Sequence, residues 1–83
     1  METLVIVPAR VGARGPEMET RHVEVPGTLG PELAVPVFSS AGNLVRLFGD
    51  RQPWICVPLR AAREAAAAAG LARVAIDPEG TAP

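Results

Sequence analysis

Leu33-Ala34-Val35-Pro36-Val37-Phe38-Ser39-Ser40-Ala41-Gly42-Asn43-Leu44-Val45-Arg46-Leu47-Phe48-Gly49 is the stretch on which the reading of this chain turns. Its first six residues form an apolar run of strand length. Pro36 inside that run cannot donate a ladder hydrogen bond, so the strand must be irregular, bulged or unpaired on one side. At Ser39 and Ser40 the pattern changes, and either hydroxyl can accept an orphan N–H of a following helix. Ala41, Leu44, Leu47 and Phe48 then share one helical face. Gly49 suits the residue that ends such a helix.

After this stretch the same alternation occurs once more. Trp54-Ile55-Cys56-Val57 reads as a short buried strand, with Cys56 a small apolar group inside it. Pro58 opens a second helix, which runs to about Ala69 and closes at Gly70. Arg73-Val74-Ala75-Ile76 reads as a last strand, stopped by Asp77-Pro78-Glu79-Gly80. Before the central stretch, Leu4-Val5-Ile6-Val7 is a β-branched strand ended by Pro8. Arg10 to Pro16 reads as a loop. The alternation in Arg21-His22-Val23-Glu24-Val25 gives a half-exposed strand with His22 and Glu24 outward, followed by a turn-rich connector, Pro26 to Pro31.

The expected architecture is therefore a small mixed α/β sheet (α+β being the variant) in the order β-β-β-α-β-α-β. Strands alternating with helices imply parallel pairing in the second half. The first half supplies antiparallel or edge strands, and the helices are expected on one face. One domain spans residues 1–80, with residues 81–83 a frayed tail.

Composition narrows the function classes. A single 83-residue domain buries only about 60–65% of its unfolded surface, and here no disulfide reinforces it, since Cys56 is the only cysteine. His22, the only histidine, is far from Cys56 in sequence, so no metal-ligand cluster is expected and no cofactor is called for. A net charge of −1 with all eight basic residues arginine does not make the clustered basic face of a nucleic-acid or membrane-surface binder. Met1-Glu2-Thr3 opens with an acid where an export signal needs positive charge, and no apolar run approaches membrane-span length. The expectation is a cytoplasmic protein, stabilised by a protein partner or by self-association, with a homodimer as one form.

The residues also bear on catalysis. His22 on a half-exposed strand is no base for a Ser-His-Asp system, and a minimal hydrolase using Ser40 or Cys56 is a remote reading. Glu17, Glu19 and Glu24 have nothing to drive their pKa values apart. Gly12-Ala13-Arg14-Gly15 and Gly27-Thr28-Leu29-Gly30 are not phosphate loops. The expectation is no enzyme. Two places are candidates for binding, beside the plainer readings that the serines are helix caps with Asp77-Pro78 a turn and that Trp54 covers the sheet end as core. Parallel strands would converge Ser39, Ser40, Arg60 and Asp77 on one crevice at a helix N-terminus, which favours a small anion. Trp54 with Arg46 and Arg51 makes a candidate partner surface, aromatic and arginine residues being the usual interface anchors. Leu29 in its glycine-rich loop is a second exposed contact.

Val35-Pro36-Val37-Phe38-Ser39-Ser40 with Leu44 resembles the "P-V-F-T-S-x-x-x-L" core of the SseB N-terminal domain family. Trp54 to Leu59, the alanine-rich helix and Ala75-Ile76-Asp77-Pro78-Glu79-Gly80, similar to a closing "L-N-P-x-G" turn, extend the resemblance. Val5-Ile6-Val7-Pro8 fits the opening "v-x-V-P" strand. Ser39 stands where the family usually has threonine and Asp77 where it has asparagine; Gly42 and Asn43 replace acidic residues. The resemblance implies a bacterial protein of the enhanced serine sensitivity kind, with no catalytic mechanism and so no catalytic residues. The leading expectation is a non-enzymatic interaction or scaffold domain; the alternative is an anion- or small-ligand-binding module.

Overall fold

The computed structural model describes residues 2–71 and 73–78. Six strands and two helices follow in the order β1 (Leu4–Gly12), β2 (Gly15–Met18), β3 (Val23–Gly27), β4 (Gly30–Val37), α1 (Ala41–Phe48), β5 (Trp54–Pro58), α2 (Leu59–Ala68) and β6 (Val74–Ile76). The mixed α/β class holds, and β4–β6 is the parallel pair of the second half. Residues 79–83, and with them the end of the closing turn and the expected tail, lie outside the described residues.

Two three-stranded sheets, β2-β1-β5 and β3-β4-β6, meet at one place. There Ile6 and Phe38 exchange both backbone hydrogen bonds, at 2.7 and 2.8 Å. Two residues along that antiparallel register, Pro8 falls opposite Pro36, and neither has an N–H to give. The ladder stops there, and β1 and β4 diverge into separate hairpins. Pro36 is thereby accommodated. Val35 and Val37 turn their backbone groups toward β6, so Pro36 turns its nitrogen to the other edge, where β4 passes from β3 to β1. Pro8 likewise does not end its strand: its carbonyl still accepts from the Glu19 amide at 2.9 Å, and β1 continues to Gly12.

The two expected loops are hairpins. Gly12-Ala13-Arg14-Gly15-Pro16-Glu17 and Gly27-Thr28-Leu29-Gly30-Pro31-Glu32 repeat one pattern, Gly-x-x-Gly-Pro-Glu, and each makes a two-residue turn between antiparallel strands. Gly15 and Gly30 have φ of 114° and 121°, a region that favours glycine. Gly12 and Gly27 leave room for a carboxylate side chain: a Cβ on either would collide with Glu17 or Glu32 across the hairpin.

Pleat alternation assigns the two faces of the sheet. Val5, Val7 and Val37 lie on the face covered by Ala62 of α2. Ile6 and Phe38 lie on the other, where the Phe38 ring meets Phe48 of α1 edge to face at 5.9 Å. The helices are thus on opposite faces. The strand directions require this: β4→α1→β5 moves one way across the sheet and β5→α2→β6 moves back. Two right-handed crossovers of opposite sense put their helices on opposite sides. Alanines in α2 allow close approach to the valines, and Ala62 and Ala66 are buried. The helix ends in a Schellman arrangement, with Gly70 (φ 77°) donating to the Ala67 carbonyl and Leu71 to Ala66.

Candidate functional site

At the carboxyl ends of β4 and β6 the parallel pairing brings Ser39 and Asp77 together. The Ser39 amide donates to Asp77 Oδ1 at 2.8 Å, and its hydroxyl donates to Oδ2 at 2.7 Å. Asn43, one turn into α1, donates its side-chain amide to Asp77 Oδ1 at 3.1 Å. Ser40 is the helix cap, its Oγ accepting from the Asn43 backbone amide at 3.2 Å. The Asp77 carboxyl is held below its ordinary range, first by the Ser39 amide and then by the Ser39 hydroxyl, against slight desolvation, with Asn43 adding to the lowering. Asp77 has φ of 49°, a left-handed conformation that Asp and Asn adopt more readily than most side chains.

The expected crevice is therefore assembled in part. Ser39, Ser40 and Asp77 converge; Arg60 does not. β5 lies beyond β1 rather than beside β4, so Arg60 at the start of α2 is carried away from the serines and is ion-paired with Glu2. An anion already lies beside the start of α1, the chain's own Asp77 carboxylate, held by Ser39 and the Asn43 side chain rather than by the amides of the helix.

Trp54, Arg46 and Arg51 are exposed, as a partner surface requires; Trp54 is 46% accessible. Cys56 is exposed rather than buried. The antiparallel register pairs Leu4 with Pro58, Ile6 with Cys56 and Pro8 with Trp54 on one face. The other face of β5, with Ile55 and Val57, packs on the core. Leu4 is 60% accessible, so Leu4, Cys56 and Trp54 form an uncharged apolar strip on the sheet face. Leu29 is fully exposed at its hairpin tip.

Sequence reasoning missed two contributors. Asn43 was visible only as a departure from an acidic pattern. Arg21 caps the α1 side of the core: its guanidinium lies 4.1 Å from the Phe48 ring centroid and donates to Gln52 Oε1 at 2.6 Å. Gln52 in turn donates to the Ala9 and Pro53 carbonyls. The aromatic at the end of α1 and the arginine before β3 carried no signal that they meet.

Among the described residues, no helix is long and apolar enough to cross a membrane, and no group of His, Cys, Asp and Glu is placed to hold a metal ion.

The model of the SseB protein N-terminal domain matches residues 1–83. The chain belongs to that family. Searches of curated proteins and of solved structures return no match. In this SseB domain the closing turn and the first helix touch each other. The carboxylate stands in the closing turn at Asp77 and the amide in the helix at Asn43, and they form one hydrogen bond.

Proposed function

We infer that this SseB domain is a non-enzymatic protein–protein interaction or scaffold module working in the cytoplasm. The observation that carries this reading is the uncharged strip of Leu4, Cys56 and Trp54 beside an open strand edge. Aromatic and arginine residues are the usual anchors of interfaces, and Arg46 and Arg51 are exposed as Trp54 is. The anion-binding alternative has less support, because Asp77 places a like charge beside the helix start it would use.

The test places a photoreactive phenylalanine analogue at position 54, and in a control at position 24, in cells of the host. Discrete adducts at 54 and not at 24 are expected. Adducts equal at both positions, or none at 54, would sink the interaction reading.

A further inference from the structure

We propose that β5 is a dimerisation edge, and that two copies of this chain pair β5 with β5 antiparallel to continue the sheet across a two-fold axis. The proposal rests on the interaction reading above and names its partner as a second copy. It starts from an inequality among the edges. β2 carries Pro16 and Glu17; β3 carries Glu24 and Pro26. β6 is three residues long and flanked by Arg73 and Asp77. Short length, charge and proline are how sheet edges are protected from further pairing. β5 has five residues, Trp54-Ile55-Cys56-Val57-Pro58, none of them charged, with proline only at its end.

The backbone supplies the hydrogen-bond groups. Val5 and Val7 of β1 face Val57 and Ile55, so alternation turns the N–H and C=O of Trp54 and Cys56 to the open edge. Two antiparallel registers use them. With the axis at Ile55, Trp54 and Cys56 of one copy bond Cys56 and Trp54 of the other. With the axis at Cys56, Cys56 bonds its counterpart and Trp54 donates to the Pro58 carbonyl. Each register forms four hydrogen bonds.

Charge selects the antiparallel sense. Asp50 and Arg51 precede β5; Arg60, paired with Glu2, follows it. Antiparallel pairing brings Asp50 to the end where the other copy has Arg60, and Arg51 to the end where it has Glu2. Parallel pairing would set like ends together and could not close on itself.

In either register the two Cys56 Cα atoms come within about 9 Å, from strand spacing and rise per residue. Cys56 is the only cysteine, so a short bismaleimide reports directly. Wild-type protein is expected to dimerise in light scattering as concentration rises, and to give a covalent dimer through Cys56. Cys56→Glu, at an exposed position, sets like charges together across the axis and is expected to raise the dimer dissociation constant at least tenfold. Trp54→Lys is expected to do the same, while Ala67→Glu on α2 leaves the dimer intact. A wild-type monomer at all concentrations overturns the proposal. So does a dimer that neither edge variant weakens and Cys56 does not cross-link. Photo-adducts at position 54 of a mass other than twice the chain would keep the interaction reading while replacing the second copy with another protein. Absence of every adduct ends both.

Discussion

The carboxyl ends of β4 and β6 and the open edge of β5 treat their hydrogen-bonding groups in opposite ways. At the first, Ser39, Ser40, Asn43 and Asp77 are partnered within the chain, and the carboxylate lies beside the helix start. At the second, alternate backbone amides and carbonyls face outward, unpaired among the described residues, beside a half-exposed indole and an exposed thiol. The serines that look most like a ligand site are hydrogen-bonded within the chain, and the strand that looks most like plain core leaves one of its faces exposed. Helix-start chemistry is a guide to binding only when the chain has not supplied its own anion.

Substitutions can test how far the two regions differ. The largest effect is expected from Phe38→Ala. This fully buried ring lies between the inter-sheet bridge and Phe48, and its loss should cost about 3–5 kcal/mol in denaturant unfolding. Asp77→Ala, which removes a carboxylate from three donors, should cost about 1–2 kcal/mol. If it costs nothing, the serine end is not structural and the contrast with β5 fails.

The same carboxylate predicts a pH dependence. Its folded pKa lies below the unfolded value, so its ionised form stabilises the fold. That contribution is complete above about pH 5 and is lost as pH falls below about 4. Thermal midpoints of wild type and Asp77→Asn should converge as acid is added; midpoints that stay parallel would contradict this origin. Arg21→Ala should cost about 0.5–1 kcal/mol through its loss over Phe48, with chemical shifts moving at Gln52. The smallest effect on folding is expected from Cys56→Ser, at an exposed position of β5, within about 0.5 kcal/mol for the monomer. A large loss there would make Cys56 a core residue and erase the contrast.

Much of the fold was legible in the residues. Both helices, the strands around Val5, Val23, Val35 and Ile55, and the caps at Ser40 and Gly70 follow from local periodicity and end chemistry. The hairpins were hidden because Gly-x-x-Gly-Pro-Glu is made of loop-forming residues, and its pairing depends on a carboxylate passing over a glycine. Pro36 gave the right warning about a broken ladder, whereas Pro8 does not end its strand as its position suggested. Which edge each proline faces, however, depends on a partner strand far away in sequence. Of the site, convergence of Ser39 with Asp77 was readable from parallel pairing. The separation of Arg60 was not, because β1 enters between β4 and β5 from the start of the chain. Cys56 was misread because an apolar run shows no difference between strand faces when one of them is left uncovered.

The proline pair at the junction of the two sheets has a consequence for how this protein can come apart. Judged by hydrogen bonds, the halves are almost separable, held across the seam by a single bridge. Judged by the chain they are interleaved: one sheet is made from residues 4–18 and 54–58, the other from 23–37 and 74–76. No single cut yields two fragments that each own a whole sheet. A seam that would otherwise divide the molecule into two independent folding units is crossed three times by the polypeptide itself. The interleaving couples the two halves through the chain, and it favours unfolding of both together rather than one at a time.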